Sequence, residues 1–214
     1  KYFKDNESKP ADSDIKTWLD NALGRLPVND EQYATLHQKG FEAVLAYVPT
    51  LYSQISNRSQ IETSIKVMLS TGLEELPEIP LSGKLDRIDF GEDGMALRVV
   101  DYKTGKPKTR NVIEGKTQTS DGGYKRQLVF YALLLSLQED DRTEHCREGV
   151  LSFVEPDAKG VVHEESFVVT DEEIEVLKGE IITATKDLLS GGYLDTQCDS
   201  EKSDYCELAK QLYR

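Results

Sequence analysis

Gly83-Lys84-Leu85-Asp86-Arg87-Ile88-Asp89, followed after a turn by Val99-Val100-Asp101-Tyr102-Lys103-Thr104-Gly105, sets the reading of this chain. Gly91-Glu92-Asp93-Gly94 between the two runs is a strong hairpin signal, so strands are expected over 81–90 and 96–102 as antiparallel neighbours. Such a hairpin can bring Asp86 and Asp101 together. Asp86 shares its strand face with Ile88 and Phe90, and Asp101 with Leu97 and Val99. Carboxylates on apolar faces are costly to bury unless something compensates them. A divalent cation with oxygen ligands is the natural compensation. Lys103 stands two residues beyond Asp101 and therefore on the same face. An amine there can orient or deprotonate a water, or neutralise charge building on a phosphate. Asp…Asp-x-Lys on one hairpin is thus a compact kit for metal-assisted phosphodiester hydrolysis. The plainer alternative is an ion pair of Asp86 or Asp101 with Lys103, Arg87 or Arg98, because a bare Asp-x-Lys arises often by chance.

Upstream of the hairpin the pattern is helical. A short helix is expected over 15–23, after an N-cap in residues 10–14, and a long amphipathic one over 30–56. Pro49 is a place for that helix to kink or break. Alternation over 61–68 predicts a further strand. Downstream, residues 104–123 read as a long polar loop, of the kind that in compact domains is usually functional or mobile. Residues 124–137 are apolar on nearly all sides, which predicts a buried helix. Strands are expected near 149–155 and 161–169. Thr170 with Glu173 forms a capping box for a helix to about residue 189. No internal repeat or linker interrupts this order, which describes one α/β domain.

The chain has 214 residues, a net charge of −13 and 38% apolar content. That excludes a disordered chain, and no apolar run approaches a membrane span. Nothing at the N-terminus resembles a signal peptide, and the chain starts at Lys1, as an excised domain would. Cys146, Cys198 and Cys206 are too few and too scattered for a disulfide scaffold, so a reducing cytoplasm is expected. Acidity is concentrated in residues 139–214, with 20 acidic and 8 basic side chains. Residues 103–126 instead hold seven basic residues and two acidic ones. Global charge argues against nonspecific nucleic-acid binding, whereas this local segment permits a phosphate contact.

With Gln127-Leu128-x-x-Tyr131 added to the two runs above, the sequence resembles the RecB-type branch of the PD-(D/E)XK nuclease superfamily. That branch includes the RecB/AddB-type nuclease domains of bacterial helicase–nucleases and the CRISPR-adaptation nucleases. The resemblance is continuous over residues 60–170 and weaker outside. It implies a restriction-endonuclease-like α/β core, a mixed sheet of about five strands flanked by helices, with an extra N-terminal helical region. The expected layout is a single domain, with helices over 1–58, the nuclease core over 59–190 and an irregular tail over 191–214, excised from a larger protein.

The resemblance also implies roles. Asp86 and Asp101 become metal ligands, the Tyr102 carbonyl completes the protein's share, and Lys103 is the catalytic lysine. Gln127 and Tyr131, four apart on one helical face, help position DNA and the active site. Glu62, in the first expected strand, matches an acid of such domains and is expected as structural support or as a contact behind the metal ligands. The implied activity is Mg²⁺- or Mn²⁺-dependent hydrolysis of DNA in repair or recombination, beside a helicase domain or subunit. A catalytically idle DNA-binding or assembly module of the same fold is the alternative, and a standalone exonuclease of the CRISPR-adaptation type is another.

Two features depart from the family pattern. The family's metal-binding histidine sits on an early helix within Gly-x-x-x-His. Here His37 is in the right region but Tyr33 stands in the glycine's place, while Lys1-Tyr2-Phe3-Lys4 resembles the end of that helix. The histidine is therefore either His37 or upstream of Lys1, and its absence would weaken cleavage. His145 and His163 are expected on the surface. Some relatives carry a [4Fe–4S] cluster on four cysteines. With three cysteines, and Ser203 where a partner of Cys206 belongs, no cluster is expected.

Overall fold

The structure is a computed structural model that describes residues 9–54 and 58–192. The chain divides into two compact units, Lys1–Glu175 and Val176–Arg214. The second contributes the end of one helix to the described residues. The expectations for the N-terminal stretch and for Cys198, Ser203 and Cys206 lie outside the described residues.

In the first unit, α1 (Asp12–Leu23) and α2 (Asp30–Gln54) precede β1 (Gln60–Ser70), β2 (Glu78–Phe90) and β3 (Ala96–Lys103). Then come α3 (Arg110–Ile113), α4 (Gly123–Ser136), β4 (Glu148–Phe153), β5 (His163–Val168) and the first turn of α5 (Asp171–Ser190), whose residues from Val176 on belong to the second unit. The sheet order is β1-β2-β3-β4-β5. Only β3 and β4 are parallel, so the sheet is mixed and α4 lies in the crossover between them. The five-stranded mixed sheet flanked by helices fits the restriction-endonuclease-like α/β fold that the resemblance implies.

Local chemistry accounts for the boundaries. Asp14 accepts the Ala11 N–H at 3.0 Å at the start of α1. Thr170 and Glu173 bond reciprocally at the start of α5, at 3.0 and 3.2 Å. The hairpin turn closes with Gly94 at φ +82°, a conformation that suits glycine. Strand β2 begins earlier than expected and contains Pro80. The ladder to β3 runs only from Arg87 to Phe90, so that first half of β2 has β1 alone as a partner and tolerates a proline.

Helix α2 continues through Pro49, in line with the long helix expected over 30–56. One further difference from expectation has a plain cause. The polar stretch 104–123 contains the single turn α3, whose Ile113 is fully buried and anchors the segment to the core. One apolar residue inside a polar run gives no periodic signal, so the sequence does not announce it.

Two glycines set how closely α4 approaches the sheet. A Cβ on Gly83 would lie 2.5 Å from Leu134 Cδ1, and one on Gly149 would lie 3.0 Å from Leu128 Cβ. Leu128, Leu133, Leu134 and Leu135 of α4 are all essentially inaccessible. This seats α4 against the sheet and so fixes its position over β3.

Candidate active site

Residues alternate across β3. Asp101 and Lys103 point toward α4, while Tyr102 points the other way, where α2 supplies Tyr47 at an edge-to-face ring distance of 5.8 Å.

On the α4 side the side chains form a closed ring. Tyr131 donates its hydroxyl to Asp101 Oδ1 at 3.0 Å. Gln127 donates Nε2 to the Tyr131 hydroxyl at 2.7 Å, and Lys103 Nζ donates to Gln127 Oε1 at 2.6 Å. Lys103 Nζ returns to Asp101 Oδ2 at 2.7 Å as an ion pair. The four-residue spacing of Gln127 and Tyr131 on α4 puts both over β3. Asp101 is 2% exposed. Burial raises its pKa, opposed by Lys103 and Tyr131 and reinforced by the negative charge of Asp86. Burial and the Asp101 carboxylate likewise raise the Tyr131 phenol.

Asp86 is paired in neither of the ladders that flank β2. The β2–β3 ladder begins one residue later, at Arg87↔Val100. The β1–β2 ladder passes from Ile61↔Arg87 to Thr63↔Leu85 and skips Glu62 and Asp86. Glu62 takes a positive φ of 54° there. Asp86 Oδ2 accepts the Tyr102 N–H at 2.8 Å, which ties it to the strand that carries Asp101. The carboxylate itself is half-buried.

The plain ion-pair alternative holds in part, since Lys103 does pair with Asp101. It fails for the arginines. Arg87 and Arg98 both converge on Asp89, at 3.1 Å from Nη2 and 2.9 Å from Nε, and Ser59 donates to the same carboxylate at 2.7 Å. Arg87 also donates to the Tyr102 hydroxyl at 2.7 Å. The Arg87-x-Asp89 part of the motif is therefore a buried clamp behind the strand, and neither Arg87 nor Arg98 pairs with Asp86.

Other candidates lie elsewhere. His37 Nε2 is 3.2 Å from Asp20 on α1 and its ring stacks on Tyr33, so its contacts are with the N-terminal helices. His145 and His163 are exposed, as expected. Glu62 pairs with Lys84 in a surface ion pair, both side chains more than half exposed. Tyr124 was not singled out by sequence. Its ring centroid lies 5.1 Å from Lys103 Nζ, and its position three residues before Gln127, on the same helical face, was the available signal.

The donor set suits a hard divalent cation. Asp101 Oδ2 is buried and has no well-angled hydrogen-bond donor, and Asp86 adds a second negative charge close by. In the protein alone, the Lys103 ammonium stands beside that oxygen. Among the described residues, no third His, Cys, Asp or Glu joins the pair.

A sequence profile for the PD-(D/E)XK nuclease superfamily matches residues 2–211. The chain belongs to the PD-(D/E)XK nuclease superfamily. Members of this superfamily are generally nucleases that use divalent metals. No curated protein sequence matches the chain. Among solved structures, the chain is similar to one titled "Crystal structure of SSO0001", at 14% identity and a TM-score of 0.42, over 86% of this chain and 77% of that one. No described helix is long and apolar enough to cross a membrane.

Proposed function

We propose that this superfamily member is a Mg²⁺- or Mn²⁺-dependent deoxyribonuclease of RecB/AddB type, acting in DNA repair or recombination in the cytoplasm and attached to or partnered with a helicase. The closed ring Asp101–Tyr131–Gln127–Lys103 beside Asp86 is the observation that carries this reading. Asp86 and Asp101 would hold the cation, with the Tyr102 carbonyl as the third protein ligand. Bound there, the cation would supply Lewis acidity toward water and counter-charge for the phosphate.

The chain's own residues do the rest. Tyr131 holds Asp101 Oδ1 and so fixes the rotation of the carboxylate, directing Oδ2 to the site. Gln127 links Tyr131 to Lys103 and so holds the amine beside Asp101. The Lys103 ammonium carries three protons; Gln127 Oε1 takes one, and the ammonium, ion-paired with Asp101, keeps others to offer a phosphate oxygen or a leaving-group oxygen. Its aliphatic stem is mostly buried, so the charge is pre-positioned and needs little reorganisation during reaction.

The test is cleavage of labelled DNA with Mg²⁺ or Mn²⁺. Lys103→Ala is expected to cost about 10²–10³-fold in rate, the scale of losing one pre-positioned charge donor. Asp101→Ala is expected to fall to background. Equal activity in the parent and both variants overturns the mechanism. The competing reading is an idle DNA-binding module, and the lack of a third side-chain ligand among the described residues favours it. DNA binding without cleavage under either metal would support that alternative.

A further inference from the structure

The segment 103–126 carries seven cations, but most of them are already neutralised within the fold. Lys103 pairs with Asp101, Arg110 with Glu114 and Glu165, and Lys116 with Glu114. Lys125 pairs with Glu173, and Arg126 with Asp121. Among the described residues, Lys106 and Lys108 are the two left without an ion pair. A segment that looks uniformly basic in sequence thus offers an anion only one or two free charges, and one of these has a defined place.

Lys108 lines a groove of about 460 Å³ together with Thr119, Ser120, Asp121, Tyr124 and Gln127. Gln127 is part of the ring that holds Lys103, so the groove opens directly beside the reacting groups. Tyr124 joins the groove to the site as well, being half-buried with Lys103 Nζ 5.1 Å from its ring centroid and Phe153 edge-on at 6.4 Å. Phe153 therefore buttresses the ring. Asp121 does not spoil the groove for an anion, because its carboxylate accepts the Gly123 N–H at 3.0 Å and pairs with Arg126 at 3.1 Å. The Ser120 hydroxyl is already bonded to the Val112 carbonyl and the Gly122 N–H. One free ammonium, the Thr119 hydroxyl and one braced aromatic ring in a groove of this size match the parts of a nucleotide: a phosphate, a sugar and a base.

We propose that this groove is a binding subsite for one nucleotide of a single DNA strand, next to the phosphate being cut. Lys108 holds its phosphate and Tyr124 meets its base. Tyr124 thereby couples strand seating to the position of Lys103. The inference rests on the nuclease reading of the neighbouring site and adds to it which strand form enters and by which residues.

Binding of a fluorescein-labelled oligo(dT) in EDTA, read by anisotropy, separates seating from cleavage. Lys108→Ala should weaken binding and reduce the salt dependence by about 0.7 in the log–log slope, the value for one single-strand phosphate contact. Tyr124→Leu should weaken binding by about 5- to 160-fold, the range for loss of one base–aromatic contact. Lys116→Ala, which removes a cation already paired with Glu114, should leave both quantities unchanged. Circular dichroism on each variant confirms folding. Parental binding by Lys108→Ala and Tyr124→Leu, in a parent that cleaves DNA, overturns the groove and leaves the nuclease reading intact. Equal competition by duplex and single-strand DNA overturns the strand assignment. A parent that neither binds nor cleaves overturns both readings.

Discussion

Replacing Arg87 by Met should be among the most damaging single changes in the sheet, although Arg87 touches no carboxylate of the active site. Arg87 is 0% exposed and Asp89 5%. Removing one partner of a buried ion pair typically costs about 3–5 kcal/mol, because the other charge stays desolvated. Here Asp89 keeps Arg98 and Ser59 as donors, and Arg87 Nε, 3.0 Å from Oδ1, has no well-angled hydrogen bond. Both facts place the loss of the pair near the lower bound, about 3 kcal/mol. The Tyr102 hydroxyl also loses its donor, which adds about 1 kcal/mol. The expected loss is therefore about 4 kcal/mol, a large share of the roughly 5–15 kcal/mol that stabilises a typical domain. Urea unfolding followed by circular dichroism should show a lower midpoint at unchanged slope. A double-mutant cycle with Asp89→Asn should return a coupling of about 1–3 kcal/mol. A loss below about 1 kcal/mol, the range of solvent-exposed pairs, would refute the buried-clamp reasoning.

Gly83→Ala should destabilise by about 1–3 kcal/mol in the same urea assay, because its Cβ would lie 2.5 Å from Leu134 Cδ1 and push α4 off the sheet. Asp101→Asn, measured by thermal melting in EDTA, should leave stability unchanged or higher, since it removes a charge that burial disfavours. The Cys146 thiol is buried and its pKa is pushed up to about 11 from 9.0. In a Cys198→Ser/Cys206→Ser background it should resist iodoacetamide at pH 8 in the folded protein and react on unfolding. Because the folded state keeps that proton to higher pH than the unfolded chain does, Cys146 should favour folding below pH 9 and lose this contribution as pH rises toward 11. Cys146→Ala should flatten that alkaline limb.

Much of the fold was legible because its signals are local and periodic. The hairpin turn at 91–94, the alternation in β1, the capping box at Thr170 and the apolar helix α4 each describe an element without reference to the rest of the chain. The site was legible for a related reason: Asp101 and Lys103 share a strand face, and Gln127 and Tyr131 share a helix face, by backbone periodicity alone. Charge pairing was not legible. Sequence offers Asp86, Asp89 and Asp101 equally to Arg87, Arg98 and Lys103, and only the sheet's geometry sends both arginines to Asp89. The same limit made residues 103–126 look freely cationic, since Glu165 and Glu173, which neutralise part of that segment, come from β5 and α5.

Electron paramagnetic resonance of Mn²⁺ titrated into the parent and into Asp101→Asn bears on the metal pair itself, independently of any DNA. The expected result is one saturable Mn²⁺ site in the parent, displaced by Mg²⁺, and its loss in the variant. Identical Mn²⁺ binding by both proteins, or none in the parent, would contradict the assignment of Asp86 and Asp101 as metal ligands.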